Sequence, residues 1–184
     1  MHEPKRARKK IVAIVGGRRA SEAVLEVAEG IGCALVDADY RVATGGMSGV
    51  MEAASKGARA STNWSDGMVL GVLPGLDPGD ANPYVDIAIP SGLNIARNVV
   101  LVALADVVVA IAGGAGTLSE MALAWQHRKP VVALDLGEGW SAKLAGQVLD
   151  ERGDQPIAAC TSVAEVVAAV EACQPAPVPR FAWS

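Results

Sequence analysis

No run of apolar residues in this 184-residue chain approaches the ~20 needed to cross a bilayer. The basic residues near the N-terminus are not followed by the apolar h-region of about 7–15 residues that a secretion signal requires. Aromatic residues make up only 4% of the chain, so few rings are available to stack on exposed bases. There are two histidines, His2 and His127, which excludes a histidine-rich metal site. Three cysteines, Cys33, Cys160 and Cys173, are odd in number and widely spaced. They read as buried thiols in a reducing compartment, neither a disulfide frame nor a zinc site, and the expected location is cytoplasmic. No Gly-x-Gly-x-x-Gly follows the first apolar run, so NAD is not expected. No glycine loop ends in Gly-Lys-Ser/Thr, which removes the P-loop hydrolases.

What is present is aliphatic. Hydrophobic residues account for 51% and charged residues for 20%, enough for the core of one domain. The net charge is −4, but residues 1–10 hold five of the sixteen bases and a single acid. The remainder carries eleven bases against nineteen acids, and an acidic body argues against nucleic acid as a partner. The expected organisation is a flexible, solvated basic arm over 1–10, a single domain over 11–173 and a Pro-rich tail over 174–184.

Short β-rich runs alternate with helical patterns. Ile11–Val15, Arg41–Thr44, Met68–Leu73, Val85–Ile89, Val107–Ala112, Val131–Leu134 and Ile157–Ala159 read as strands. Ser21–Ile31, Val50–Arg59, Ser91–Ala105, Leu118–His127, Ser141–Leu149 and Ser162–Cys173 read as helices, the last with a Ser162/Glu165 capping box. The Asp-, Gly- and Pro-rich stretch Leu76–Pro83 reads as a surface loop. This alternation predicts a single Rossmann-like, doubly wound α/β domain, its sheet mainly parallel with helices on both faces.

Ligands of such sheets bind beyond the carboxyl ends of the strands. Three glycine-bearing loops fall there: Gly16-Gly17-Arg18-Arg19, Gly45-Gly46-Met47-Ser48-Gly49 and Gly113-Gly114-Ala115-Gly116-Thr117. Glycine admits tight turns and close approach of amide N–H groups to an anion, and a helix N-terminus favours phosphate. In the predicted helix Ser91–Ala105, the residues Asn94, Arg97 and Asn98 form one polar stripe about 100° wide on an otherwise apolar cylinder. A guanidinium there must meet a carboxylate, an anion or water, so Arg97 is either a salt bridge at a subunit interface or is aimed at a ligand phosphate or a partner carboxylate in the pocket. Glu120 also has two readings. Thr117-x-x-Glu120 is a capping box, yet a carboxylate over a phosphate-binding turn can act as acid or base if its pKa is raised. Arg18 and Arg19 either clamp phosphate or face solvent. His127 reads as a helix C-terminal cation, Trp125 as core or interface, and Asp77, Asp80 and Asp86 as turn residues, so no metal is expected.

Thr44-Gly45-Gly46-Met47-Ser48-Gly49-Val50-Met51 resembles the first glycine motif of the LOG family, the cytokinin-activating phosphoribohydrolases. Ala112-Gly113-Gly114-Ala115-Gly116-Thr117-Leu118-Ser119-Glu120 resembles that family's Pro-Gly-Gly-x-Gly-Thr-x-x-Glu motif, and Arg97 stands at the arginine of its Arg-Lys pair. Trp125 and Lys129-Pro130 continue the similarity, which runs from about residue 11 to 160. Asn98 replaces the lysine, Ala112 the proline, and Glu52 the last glycine of Gly-Leu-Met-Gly. In these departures the chain is more similar to the molybdenum cofactor carrier proteins, which hold a pterin monophosphate. The resemblance implies a carrier of a phosphorylated pterin or nucleotide, molybdenum cofactor being the named cargo. The alternative it implies is a nucleoside 5′-monophosphate phosphoribohydrolase with Arg97 and Glu120 as its catalytic pair. Under either, a homo-oligomer, dimer or tetramer, is expected, because an apolar helix needs more cover than one sheet provides.

Overall fold

The computed structural model describes residues 8–151 and 155–173. The Pro-rich tail, and the basic arm up to residue 7, lie outside the described residues. Seven strands form one parallel sheet: β1 (Ile11–Gly16), β2 (Arg41–Thr44), β3 (Val69–Leu73), β4 (Ile87–Pro90), β5 (Val107–Ile111), β6 (Val131–Leu134) and β7 (Ala158–Cys160). Their order across the sheet is β4-β3-β2-β1-β5-β6-β7. The chain therefore builds outward from β1 to one edge, returns to its other side and builds outward again. Register runs Val12 beside Val107 on one flank of β1 and Val12 beside Val42 on the other.

The central strands are apolar on both faces because both are covered. Val12 and Ile14 of β1 and Val109 and Ile111 of β5 point to helices α1 (Glu22–Asp37), α2 (Val50–Ala60) and α6 (Val163–Ala172). The alternate residues Ala13, Val15, Val108 and Ala110 point to the opposite layer. There α3 (Arg97–Leu104) supplies Leu101, α4 (Ala115–Gln126) supplies Met121, Ala124 and Trp125, and α5 (Gly139–Leu144) packs Leu144 against them. Trp125 is core, its indole N–H donating to Asp150 at 2.8 Å. Between α1 and α2, Gly32 lies against the backbone of Ala54 and Gly57 against that of Glu29, so the two helices approach backbone to backbone.

The structure corrects several expectations. Helix α1 continues to Asp37, because Leu35 and Val36 still bury against the sheet. The predicted helix Ser91–Ala105 is an α-helix only from Arg97. Asn94–Ala96 is a 3₁₀ turn, and Asn94 has φ +52°, a left-handed conformation that no α-helix accommodates. Leu93 and Ile95 are consequently exposed, so this segment is buried only over its second half. Helix α4 starts at Ala115, three residues earlier than predicted, and α5 ends at Leu144. Ser162 caps α6 by accepting from the Glu165 N–H, and the Glu165 carboxylate reaches back to the N–H of Thr161 as well as toward that of Ser162. Of the thiols only Cys160 is buried; Cys33 and Cys173 are half-buried, and all three are free. Arg8 of the basic arm is paired rather than merely solvated, gripping Asp106 at 2.5 Å beside the start of β1.

Candidate functional site

The sheet reverses its winding between β1 and β5, and the crevice beyond their carboxyl ends is where a parallel sheet offers a site. A cleft of about 270 Å³ opens there. From the β1 side come Gly16, Gly17 and Arg18; from the β2 side, Met47 and Met51. The α3 approach contributes Asn94, Arg97 and Asn98, and the start of α4 contributes Gly114, Gly116, Thr117 and Glu120. Segments far apart in sequence thus meet at one place.

Two capping patterns distinguish this rim. Helices α1 and α6 have serine side chains on their first-turn N–H groups, from Ser21 and Ser162. Helices α2 and α4 begin at Gly49 and Gly114, with no side-chain cap. The first N–H groups of a helix have no partner within it; at α4 the glycine start leaves them without a side-chain acceptor, whereas at α2 the first N–H, that of Val50, is taken by the β1 loop. The loops are stitched to one another: the Val50 N–H donates to Gly17 O at 3.0 Å, and Asn82 Nδ2 donates to Met47 O at 3.0 Å.

At the floor of the cleft Arg97 Nη1 donates to Glu120 Oε1 at 2.8 Å, and both side chains are at least nine-tenths buried. The start of α4 at Ala115 puts Thr117 inside the first turn, where it cannot cap. The capping-box reading of Glu120 is therefore corrected: its carboxylate faces Arg97 on α3. The partner of Arg97 is likewise in its own chain, not across a subunit interface. Burial raises the Glu120 carboxyl to about 7, against the pull of the Arg97 guanidinium, which lowers it. Beside the pair, Asn98 Nδ2 donates to Ser119 Oγ at 2.7 Å, and that hydroxyl donates to Gly116 O at 2.7 Å, fixing the first turn of α4.

The remaining predicted residues divide. Gly45 and Gly46 are buried behind the cleft. A Cβ on Gly45 would sit 2.6 Å from the Arg97 guanidinium, so this glycine makes room for the arginine. The Gly46 N–H donates to Thr44 Oγ1 and is already engaged. Gly49, Gly113 and Ala115 flank the cleft without lining it, and Arg19 is exposed outside it. Ser48 lines a second chamber, together with Glu52 and Asn82. Ala112 holds φ +48°, which a proline ring cannot adopt, so the departure from the LOG pattern matches the turn. His127 is exposed at the C-cap of α4. Asp86 is structural, accepting from Arg59, Trp64 Nε1 and Val69 N. Among the described residues no group of three or more His, Cys, Asp or Glu is placed to hold a metal ion. Sequence reasoning missed Met51, Pro74 and Ile95 as cleft residues. The first stood in a quoted motif, and the others carried no signal.

The sequence profile of the SLOG cluster4 family matches residues 9–167. The molybdenum cofactor binding protein of Rippkaea orientalis superposes with a TM-score of 0.77 at 34% identity, over 89% of this chain and 96% of that one. The molybdenum cofactor carrier protein of Chlamydomonas reinhardtii gives 0.74 at 33% identity, over 89% and 97%. An uncharacterized protein of Archaeoglobus fulgidus is 32% identical over 123 residues, 67% of this chain and 78% of its own.

Proposed function

This chain belongs to the SLOG cluster4 family, and we propose that it binds and carries a phosphate-bearing small molecule, a pterin monophosphate of the molybdenum cofactor type or a nucleotide. The observation that carries this is Arg97, a buried guanidinium at the floor of a cleft into which the uncapped start of α4 opens. Free N–H donors at a helix N-terminus and a fixed cation are what a phosphate requires. The names of the Rippkaea and Chlamydomonas relatives support the pterin cargo. Gly16, Gly17, Gly114, Gly116 and Thr117 would surround the phosphate, with Arg18 at its outer side and Asn94 at the rim.

A second reading rests on Glu120. A carboxyl at about 7 beside an arginine can position water at the anomeric carbon of a nucleoside 5′-monophosphate and accept its proton. Base and ribose 5-phosphate would leave. One experiment separates the two: calorimetric titration of wild type and Arg97→Ala with molybdenum cofactor and with nucleoside monophosphates, followed by chromatography of each mixture. Binding by wild type, lost at least ~tenfold in the variant, with the ligand recovered intact, is the expected result. Base released by wild type and not by Glu120→Ala overturns the carrier in favour of the hydrolase. No binding of any of them overturns both.

We also propose that two or more copies associate through the exposed start of the α3 segment. Ile95 is 83% exposed, Leu76 80%, and Leu93 and Val99 lie beside them, an apolar strip at the cleft mouth. Ile95→Asp is expected to lower the sedimentation coefficient to that of a single chain. A wild type that already sediments as a monomer rejects the assembly.

A further inference from the structure

A second chamber of about 400 Å³ adjoins the cleft, and Arg18 and Met47 wall both. Ser48, Glu52, Asp80 and Asn82 also line it, so that away from the Arg18 wall it is rich in acceptors. Asn82 is committed to the fold, its Nδ2 to Met47 O and its Oδ1 to the Tyr84 N–H, so this wall is fixed. Glu52 is different. It stands half-buried in the first turn of α2, and among the described residues no hydrogen bond or ion pair engages its carboxylate. Comparable carboxylates of this chain are all engaged: Asp86 by Arg59, Asp106 by Arg8, Glu120 by Arg97. Glu52 is also the position at which the LOG motif has glycine, and the functional reading above leaves it without a part.

We propose that this chamber reads the hydrogen-bond-donor edge of a 2-amino-4-oxopyrimidine ring, with Glu52 as the acceptor. The inference rests on the phosphate-bearing ligand proposed above and adds to it the class of its ring. A carboxylate offers two acceptor oxygens side by side, and its natural complement is a pair of adjacent N–H donors. A guanine or a pterin presents such a pair, the 2-amino group next to the protonated ring nitrogen. Adenine presents no such pair. The same carboxylate repels phosphate, so it also sets direction: the anionic end of the ligand goes to Arg97 and α4, the ring to α2. Between the chambers the Arg18 guanidinium donates to the Met47 sulfur at 2.8 Å, which fixes the wall that the two chambers share.

The test is calorimetric titration of wild type, Glu52→Gln and Glu52→Asp with GMP, IMP and AMP. Wild type is expected to bind GMP about tenfold or more tighter than AMP, with IMP, which lacks the 2-amino group, between them. Both variants are expected to lose this ranking while holding AMP as wild type does. Glu52→Asp keeps a negative charge at the start of α2, so loss of ranking in a variant of unchanged melting temperature reports ring contact, not helix stability. Equal affinities for GMP and AMP in wild type, or a ranking that survives both substitutions, overturns the ring assignment and leaves phosphate binding standing. Failure of all three nucleotides to bind overturns this inference, while the phosphate reading is decided separately by the titration with molybdenum cofactor described above.

Discussion

Arg97→Met is expected to cost about 3–5 kcal/mol of folding stability at pH 8, as removal of one partner of a buried ion pair does. Methionine preserves most of the aliphatic volume, so the loss comes from what Glu120, 4% exposed, gives up: the guanidinium's hydrogen bond at every pH and, above about 7, the cation that offsets its buried charge. The loss depends on pH. In the folded wild type the Glu120 carboxyl lies at about 7, above its ordinary 4.5. Its folded form thus binds a proton more tightly than its unfolded form. The penalty of burying the carboxylate is present in full above about 7 and disappears as pH falls from there toward 4.5. Removing the guanidinium, which lowers this pKa, moves the upper limit of the window still higher. The variant is therefore expected to be hurt more at pH 8 than at pH 6, and Glu120→Gln should flatten the wild-type profile between those values. Urea unfolding at the two pH values checks both. An equal loss at each pH, or one under about 1 kcal/mol, shows that the pair does not carry the charge burial described here.

Gly57→Ala sets two effects of opposite sign against each other. In the interior of a helix alanine is better than glycine by about 1 kcal/mol. At this position, however, the new methyl group would collide with the backbone carbonyl of Glu29 on α1. A flexible side chain would step aside; a carbonyl in a helix moves only if the helix moves. Gly32 meets the Ala54 carbonyl in the same way from the other side, so the interface has no slack to give. Overpacking of this kind costs about 1–3 kcal/mol, and the backbone contact places Gly57→Ala at the upper end. Gly116→Ala is the control. It is helical with nothing within 4 Å of the new Cβ, so propensity acts alone and stability is expected to hold or rise. Urea titration of Gly57→Ala showing wild-type stability would mean that α1 and α2 do not pack at this distance.

The strands were legible because a buried parallel strand is an apolar run between turn residues. Arg41–Thr44 and Val131–Leu134 are found at the residues read from sequence, and Val107–Ile111 is one residue shorter. Helix ends were less legible, for particular reasons. Gly30 and Gly32 look like a stop for α1, but Gly32 serves the contact with α2 and the helix passes through it. Gly114 to Thr117 looks like a loop, yet its last three residues are already helical. That shift decides the chemistry of Glu120. A capping box and an ion-pair glutamate share the pattern Thr-x-x-Glu, and only the position of the first helical residue separates them. The cleft was legible as three glycine loops on one rim. That Gly45 makes space for Arg97 was not legible, because the sequence does not show which way an arginine 52 residues away will reach. The chamber around Glu52 joins α2 to the loop before β4, a contact made by folding alone.

The seam between β1 and β5 also has a history. One flank of β1 finds its partner β2 within the first 44 residues, but the other waits for Val107–Ile111. Until those some sixty further residues are added, β1 is a bare apolar edge, first of two strands and of four only once Pro90 is in place. Such an edge is a template for mispairing, and parallel pairing over long separation is slow. Arg97, Gly114 and Glu120 come from the same late half, so no cleft exists until β5 has docked. The cleft and the closure of the vulnerable edge therefore arise together, in one docking event.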